Sequence, residues 1–294
     1  MDDSAAWFGN QTALSPRLSR VEIRLAEAAD VNAVVDLAGV VDPPSDDLDV
    51  DRDYYTHVIE HGRLSVAEAS GVVVGYGGAI PVGGTCYVTD LFVHPDAHGR
   101  GLGRRLLEEL WTAPAAEMAR HTSSSLHPSA LPLYVSAGMH PLWPLLYLEG
   151  PSEALGPTHL SARNVEPQEA ARLEEFWLGW DRRDDYVYWS SRPGARTLAV
   201  FEGDDAAAVG VLGRSRTRHD VLHLSAADPA LLADAVASVV AQVTGSVMAA
   251  VPGMSTAVPR LLDAGWQVIE HDLYCASEPD LVMPKQLIAH PGLL

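Results

Sequence analysis

Three glycines fall within five residues at Gly99, Gly101 and Gly103, just after the apolar stretch Leu91-Phe92-Val93. From Leu102 onward the leucines at 102, 106, 107 and 110 share one helical face, while Arg104, Arg105, Glu108 and Glu109 lie outside it. A strand therefore leads through a glycine turn into a helix. Glycine lets backbone N–H groups approach a ligand closely, and the helix start adds its positive dipole end. That combination is a cradle for a diphosphate. Each glycine costs about 1 kcal/mol against alanine at a helical position, so three of them imply a compensating role. The spacing is not the dinucleotide fingerprint, because Arg104 stands where its last glycine belongs, and no Gly-Lys-Ser/Thr follows as a P-loop requires.

The elements that must hold this turn form an imperfect repeat. Arg24 to Glu27 matches Arg163 to Glu166, each before a helix, and Leu64-Ser65-Val66-Ala67-Glu68 matches Leu198-Ala199-Val200-Phe201-Glu202. Val74-Gly75 and Val209-Gly210 follow at equivalent places. Ala137-Gly138 and Ala264-Gly265 both precede a Leu-Tyr pair, at 146–147 and 273–274, with the same spacing. Within each half the order reads strand, helix, helix, strands, helix, strand, helix, strand. In the first half the strands are expected at 21–25, 63–69, 72–81, 86–93, 121–126 and 141–148. The chain divides into an extension over 1–20, a first unit over 21–150 and a second over 159–294, joined by a Gly- and Pro-containing linker. A sheet interleaved with helices makes each unit α/β or α+β.

The glycine segment resembles motif A of the GNAT acetyltransferase superfamily, Gln/Arg-x-x-Gly-x-Gly/Ala, with His98 in the Gln/Arg place and Gly101 and Gly103 in the small positions. A second stretch, His127-Pro128-Ser129-Ala130-Leu131-Pro132-Leu133-Tyr134 followed by Ala137-Gly138-Met139, is similar to the family's N-x-x-A-x-x-L-Y…G-F pattern, with His127 for Asn. The resemblance covers residues 21–148 and extends weakly to the second half. It implies two tandem GNAT-like units, each a mixed, mostly antiparallel sheet flanked by helices. It also implies acetyl-CoA as cosubstrate. The backbone of Leu91, Phe92 and Val93 would pair with the pantetheine arm. The amides of Gly99, Arg100, Gly101, Leu102, Gly103 and Arg104 would hold the diphosphate, with the His98 and Arg100 side chains nearby. Tyr134 would protonate the leaving thiolate. Family members often carry Glu where this chain has Thr89. The base candidates are Asp90, Glu68, His94 and His127, with Asp90 expected on the far side of its strand because side chains alternate. In the second half Leu261 matches Tyr134, and the stretch 222–230 holds no glycine but does hold Asp228, so that unit is expected to bind no CoA.

Composition narrows the acceptor. The formal charge of −19 opposes nucleic acid and anionic membrane surfaces, and no apolar run reaches the roughly 18 residues of a membrane span. Cys86 and Cys275 are too few and too far apart for a disulfide framework, and the scattered histidines suggest no metal, so a cytoplasmic setting is expected. Asp42, Asp46, Asp47, Asp49, Asp51 and Asp53 crowd one stretch beside Tyr54 and Tyr55. Either that stretch is a solvated acidic loop or it draws in a cationic amine. The expectation is an N-acetyltransferase acting on a small, cationic amine, as monomer or homodimer. The alternatives are a non-catalytic acyl-CoA-binding protein and a protein-lysine acetyltransferase.

Overall fold

A computed structural model describes residues 21–43, 51–112 and 115–294. The first series of elements is β1 (Val21–Leu25), α1 (Val31–Val41), α2 (Arg52–His61), β2 (Arg63–Ala69), β3 (Val72–Val82), β4 (Thr85–Val93), α3 (Leu102–Leu110), β5 (Ala119–Ser124), α4 (Ala130–Ser136) and β6 (His140–Pro151). The second runs β7 (Ser161–Asn164), α5 (Pro167–Leu178), α6 (Arg183–Ser191), β8 (Arg196–Glu202), β9 (Asp205–Arg214), β10 (His219–Ala226), α7 (Leu232–Val240), β11 (Ser246–Pro252), α8 (Ala257–Asp263) and β12 (Gln267–Ala276), followed by a short β13 (Leu287–Ile288). Element for element the second series repeats the first.

All strands join one sheet in the order β1-β2-β3-β4-β5-β12-β6-β11-β10-β9-β8-β7, with β13 attached to β10. That order is a palindrome about the β12–β6 boundary. The final strand of each series has crossed over: β12 pairs antiparallel with β5, and β6 with β11. Each series thereby covers an edge the other would expose. The 150–158 stretch is correspondingly not a free linker, since Gly150 and Pro151 still pair with Val247 and Ser246 and a one-turn helix fills Ser152–Leu155.

The helix that follows the glycine turn sits close to the sheet for a reason visible in β3. A Cβ on Gly75 would meet Leu106 Cδ1 at 3.2 Å, and one on Gly77 would meet Leu110 Cδ1 at 3.2 Å. The missing side chains let the leucine face of α3 settle against β3, with Leu102, Leu106, Leu107 and Leu110 all buried. Burying four leucines at about 2 kcal/mol each anchors the turn at the head of α3. On the opposite face α1 and α2 pack with α5 and α6 around one core, which runs from Val34 and Tyr76 through Trp143 and Tyr274 to Trp189. This core is common to both series, while a second apolar cluster around α7 belongs mainly to the second and a small one under Leu102 and Leu106 to the first.

Candidate functional site

β4 and β5 start as a parallel pair, Thr85 opposite Ala119 through Val88 opposite Thr122, and then part. β4 continues to Val93, held on its other edge by β3 as far as Gly75. A wedge opens between 89–93 and the end of β5. At its apex the Thr122 hydroxyl donates to the Val88 carbonyl at 2.8 Å. Leu91, Phe92 and Val93 thus lie along an edge with no strand beside it among the described residues, where an extended amide-bearing chain can pair as a strand does. One carbonyl there is already engaged, because His98 Nε2 bonds the Val93 oxygen at 2.7 Å. The His98 ring braces the strand end rather than standing free over the turn.

Gly99 and Gly101 both adopt φ of +73°, a conformation that opposes any side chain, and a Cβ on either would meet nothing within 4 Å. The left-handed backbone, and not crowding, selects glycine here, and the space above it is open. Gly101 caps α3, and the first bond into the helix runs from Arg105 N to Gly101 O at 3.1 Å. The amides of Leu102, Gly103 and Arg104 precede that bond and have no acceptor one turn back. A Cβ on Gly103 would lie 3.4 Å from Leu133 Cδ2, so the bare glycine also lets α4 sit close. Arg104 is bound to Ser136 Oγ at 2.8 Å and Arg105 to the Val21 carbonyl at 3.1 Å, while Arg100 is exposed on the turn itself. Free first-turn amides at the mouth of an open wedge suit an anionic head with an extended tail.

Two titratable side chains flank the wedge from opposite faces. Tyr134 on α4 is buried with Val88 and Leu107, its hydroxyl beside Thr122 at the apex, and burial pushes its pKa well above the usual phenol range. It holds its proton at neutral pH. Asp90 lies on the other face, contrary to strict alternation. Gly78 pairs with Asp90 and Ala79 with Val88, leaving Thr89 as an extra residue. This bulge gives Asp90 the face that Thr89 would otherwise present. Gly78 permits it, since a Cβ there would lie 2.3 Å from Thr89 Oγ1. Asp90 then accepts a hydrogen bond from the Tyr54 hydroxyl at 2.7 Å, and burial raises its carboxyl to about 6 against the partial opposition of that bond. The signal was present as two consecutive glycines inside a strand, Gly77 and Gly78.

The other acid–base candidates are engaged elsewhere. Glu68 is paired with Arg24 at 2.8 Å near the β1 edge. His94 Nδ1 accepts from Asp96 N at 3.2 Å, and His127 Nδ1 binds the Ser129 hydroxyl at 2.8 Å, a turn-capping role like that of an Asn. Of the acidic stretch, Asp46, Asp47 and Asp49 lie outside the described residues. Asp51 is committed to Arg192 at 2.6 Å and to the Tyr188 hydroxyl, and it caps α2. Asp42 and Asp53 are exposed. Tyr55 bonds Tyr76 inside the core at 3.1 Å.

The corresponding region of the second series is built differently. β10 and β11 pair in parallel only from His219 to Val221, and β13 fills the gap beyond them. Leu224 pairs with Ile288 and Ser225 with Leu287, while Ala289 N donates to Ala250 O at 3.0 Å on the β11 side. Asp228 caps a one-turn helix by accepting from Ala230 N, and Leu261 is core. Among the described residues no group of three His, Cys, Asp or Glu side chains is placed to hold a metal ion, and no helix is long and apolar enough to cross a membrane.

Residues 60–138, which contain the glycine turn, the wedge, Asp90 and Tyr134, match the family model of an acetyltransferase (GNAT) domain. No curated protein matches the sequence. Solved structures share the fold across both halves. A Pyrococcus horikoshii protein described as an acetyltransferase superposes with a TM-score of 0.68 at 14% identity, over 93% of this chain and 94% of its own. A GCN5-related N-acetyltransferase from Sphaerobacter thermophilus gives 0.59 at 18% identity over 90% and 98%, and a tandem GNAT protein from the clavulanic acid biosynthesis pathway gives 0.58 at 16% over 89% and 100%.

Proposed function

We propose, from the premise that residues 60–138 form a GNAT acetyltransferase domain, that this chain transfers an acetyl group from acetyl-CoA to the amine of a small, cationic metabolite. The match of residues 60–138 to an acetyltransferase (GNAT) domain supports an acyltransferase reading of the first series, and the fold shared with a tandem GNAT protein is consistent with it. Donor and acceptor are our reading. The observation that carries it is the wedge: an unpaired β4 edge leading from free helix-start amides to a point flanked by Asp90 and Tyr134.

In this reading the amides of 99–104 hold the diphosphate, helped by Arg100, and the edge of Leu91, Phe92 and Val93 pairs with the pantetheine amides. The thioester then lies near the apex. The acceptor arrives as an ammonium ion and gives one proton to the Asp90 carboxylate, which at neutral pH is ionised yet poorly solvated. The amine nitrogen bonds to the thioester carbonyl carbon, the C–S bond breaks, and the sulfur takes the Tyr134 hydroxyl proton. The second proton leaving the nitrogen restores the Tyr134 hydroxyl, while Asp90 later gives its proton to solvent. Burial keeps that proton on Tyr134 until the thiolate needs it. The anionic surface and the Asp90 carboxylate favour a cationic acceptor over a neutral one. With β13 in its wedge, the second series binds no CoA in this scheme.

The test is CoA release from acetyl-CoA across a panel of mono- and diamines, together with calorimetry of CoA binding. Amine-dependent release with one CoA per chain supports the reading. Absence of binding at millimolar CoA refutes it, and binding without release for any amine would make the protein an acyl-CoA-binding module.

A further inference from the structure

The segment that plugs the second wedge does not stop there. From β13 it runs into the face of the first series that carries Asp90. Pro291 O accepts from the Tyr87 hydroxyl at 2.5 Å, Leu293 O accepts from Arg182, and Gly292 O lies 3.3 Å from the Tyr54 hydroxyl. His290 packs between Tyr54 and Trp189 with ring centroids 6.5 and 6.3 Å away, and its Nδ1 accepts from Gly292 N at 3.1 Å. Ala289, Leu293 and Leu294 are buried. The segment is therefore fixed on both sides, by strand pairing and the Arg182 contact in the second series and by the Tyr87 and Tyr54 contacts of its carbonyls in the first.

Tyr54 has one proton and two acceptors, Asp90 Oδ2 at 2.7 Å and Gly292 O at 3.3 Å. While Asp90 is a carboxylate, the hydroxyl donates to it. Once Asp90 has taken the acceptor's proton, its own O–H donates to the Tyr54 oxygen, and the Tyr54 proton turns to Gly292 O. Both states are then satisfied without moving a heavy atom, and no buried donor is stranded. We propose that Gly292, delivered by the β13 segment of the second series, is a positioning residue for proton uptake by Asp90, acting through Tyr54. This rests on the acetyl-transfer reading above. It assigns the second series a part in the chemistry of the first.

Gly292 is suited to the place for a second reason. A Cβ there would lie 2.8 Å from the Tyr54 hydroxyl oxygen and 3.0 Å from two of its ring carbons, while its φ is not in the left-handed region. Gly292→Ala is thus a displacement of Tyr54 with little backbone penalty. The other groups facing Asp90 are Tyr55 on α2, Tyr76 on β3, Tyr87 on β4, Tyr134 on α4 and Asp42 after α1. All the tyrosines are neutral at assay pH, which leaves Asp42 as the other charge acting on Asp90 among the described residues.

The test is the pH dependence of kcat/KM for the amine in four proteins: wild type, Tyr54→Phe, Gly292→Ala and the double variant, with CoA affinity measured alongside. Wild type should show an acid limb near 6. Loss of the Tyr54 donor should move that limb up by about one to two pH units, since it removes a hydrogen bond to a charged acceptor. Gly292→Ala should move it the same way, the double variant no further, and CoA affinity should stay within about twofold throughout. A Gly292→Ala limb that stays put while Tyr54→Phe moves overturns the proposal, as does lower activity with an unchanged profile. A wild-type profile flat from pH 5 to 8 removes Asp90 as base and takes the proposal with it, and CoA binding then still reports on the acetyl-CoA site independently.

Discussion

Replacing Asp90 by Asn should make the protein more stable at neutral pH while making it a poorer catalyst. In the folded chain burial raises the carboxyl from 3.8 to about 6. A group whose folded value is raised adds relative stability below its unfolded value and loses it as pH rises through the folded value. The Asp90 penalty is therefore absent below pH 3.8, grows across the window up to 6 and is constant above it. At 1.36 kcal/mol for each pH unit, the gap corresponds to about 3 kcal/mol at pH 7, about 1.5 at pH 5 and about 0.5 at pH 4. Asn keeps an acceptor for the Tyr54 hydroxyl and removes only the charge. The assay is reversible urea unfolding of both proteins at these three pH values, reading the difference between them so that all other titrations cancel. A difference that rises with pH between 4 and 7 fits an ionised, desolvated Asp90. A difference independent of pH would show that Asp90 is not forced to ionise at a cost, and the argument for its reactivity would fall with it.

Three further outcomes follow from the geometry. Tyr134→Phe should lower kcat by about 100-fold or more while leaving CoA affinity intact, read by steady-state kinetics and calorimetry, because the phenyl ring keeps its packing and only the acid is lost. Gly77→Val should weaken CoA binding, measured by titration, since its side chain meets Leu110 Cδ1 and Leu91 Cδ1, both 3.2 Å from a Cβ there, and lifts α3 with its amides from the sheet. Asp185→Ala should cost about 3–5 kcal/mol in urea unfolding, because it strands the buried Arg182 guanidinium, paired at 3.0 Å, and also removes the 2.8 Å partner of His57.

Much of this site could be read before any coordinates. The glycine turn, the leucine face of α3 and the family pattern around Tyr134 are local, each written within about ten consecutive residues, and their physics is local too. The repeat was legible for the same reason, because Val74-Gly75 and Val209-Gly210 mark the same narrow place on two copies of one strand. What escaped is what depends on partners far apart in the chain. Nothing in β6 or β12 says that these strands exchange, since either would satisfy the same alternation in its own half. Alternation put Asp90 on the wrong face because a bulge is a property of a pair of strands, hinted at only by Gly77 and Gly78. The acidic stretch looked like one feature, yet Asp51 spends its charge on Arg192, 141 positions away by subtraction of their numbers.

The two halves of the molecule have come to differ at one structural point, and that difference links them. In the first series the gap between β4 and β5 stays open, with glycine-bounded amides at its mouth. In the second the matching gap is closed by Leu287 and Ile288, which pair with β10 as an extended ligand would. A wedge that keeps unpaired backbone beside apolar core needs an occupant, whether a cosubstrate or the chain itself. Once the chain supplies its own, the loss of glycine from 222–230 costs nothing, and α7 is free to become the nearly all-apolar helix it is. The occupant's continuation then reaches Tyr54, so the half whose wedge is filled by its own chain touches the side chain that hydrogen-bonds Asp90 in the half whose wedge stays open. Strand exchange makes this contact reproducible, because β12 lies directly against β5 and the segment beyond it starts from inside the shared sheet.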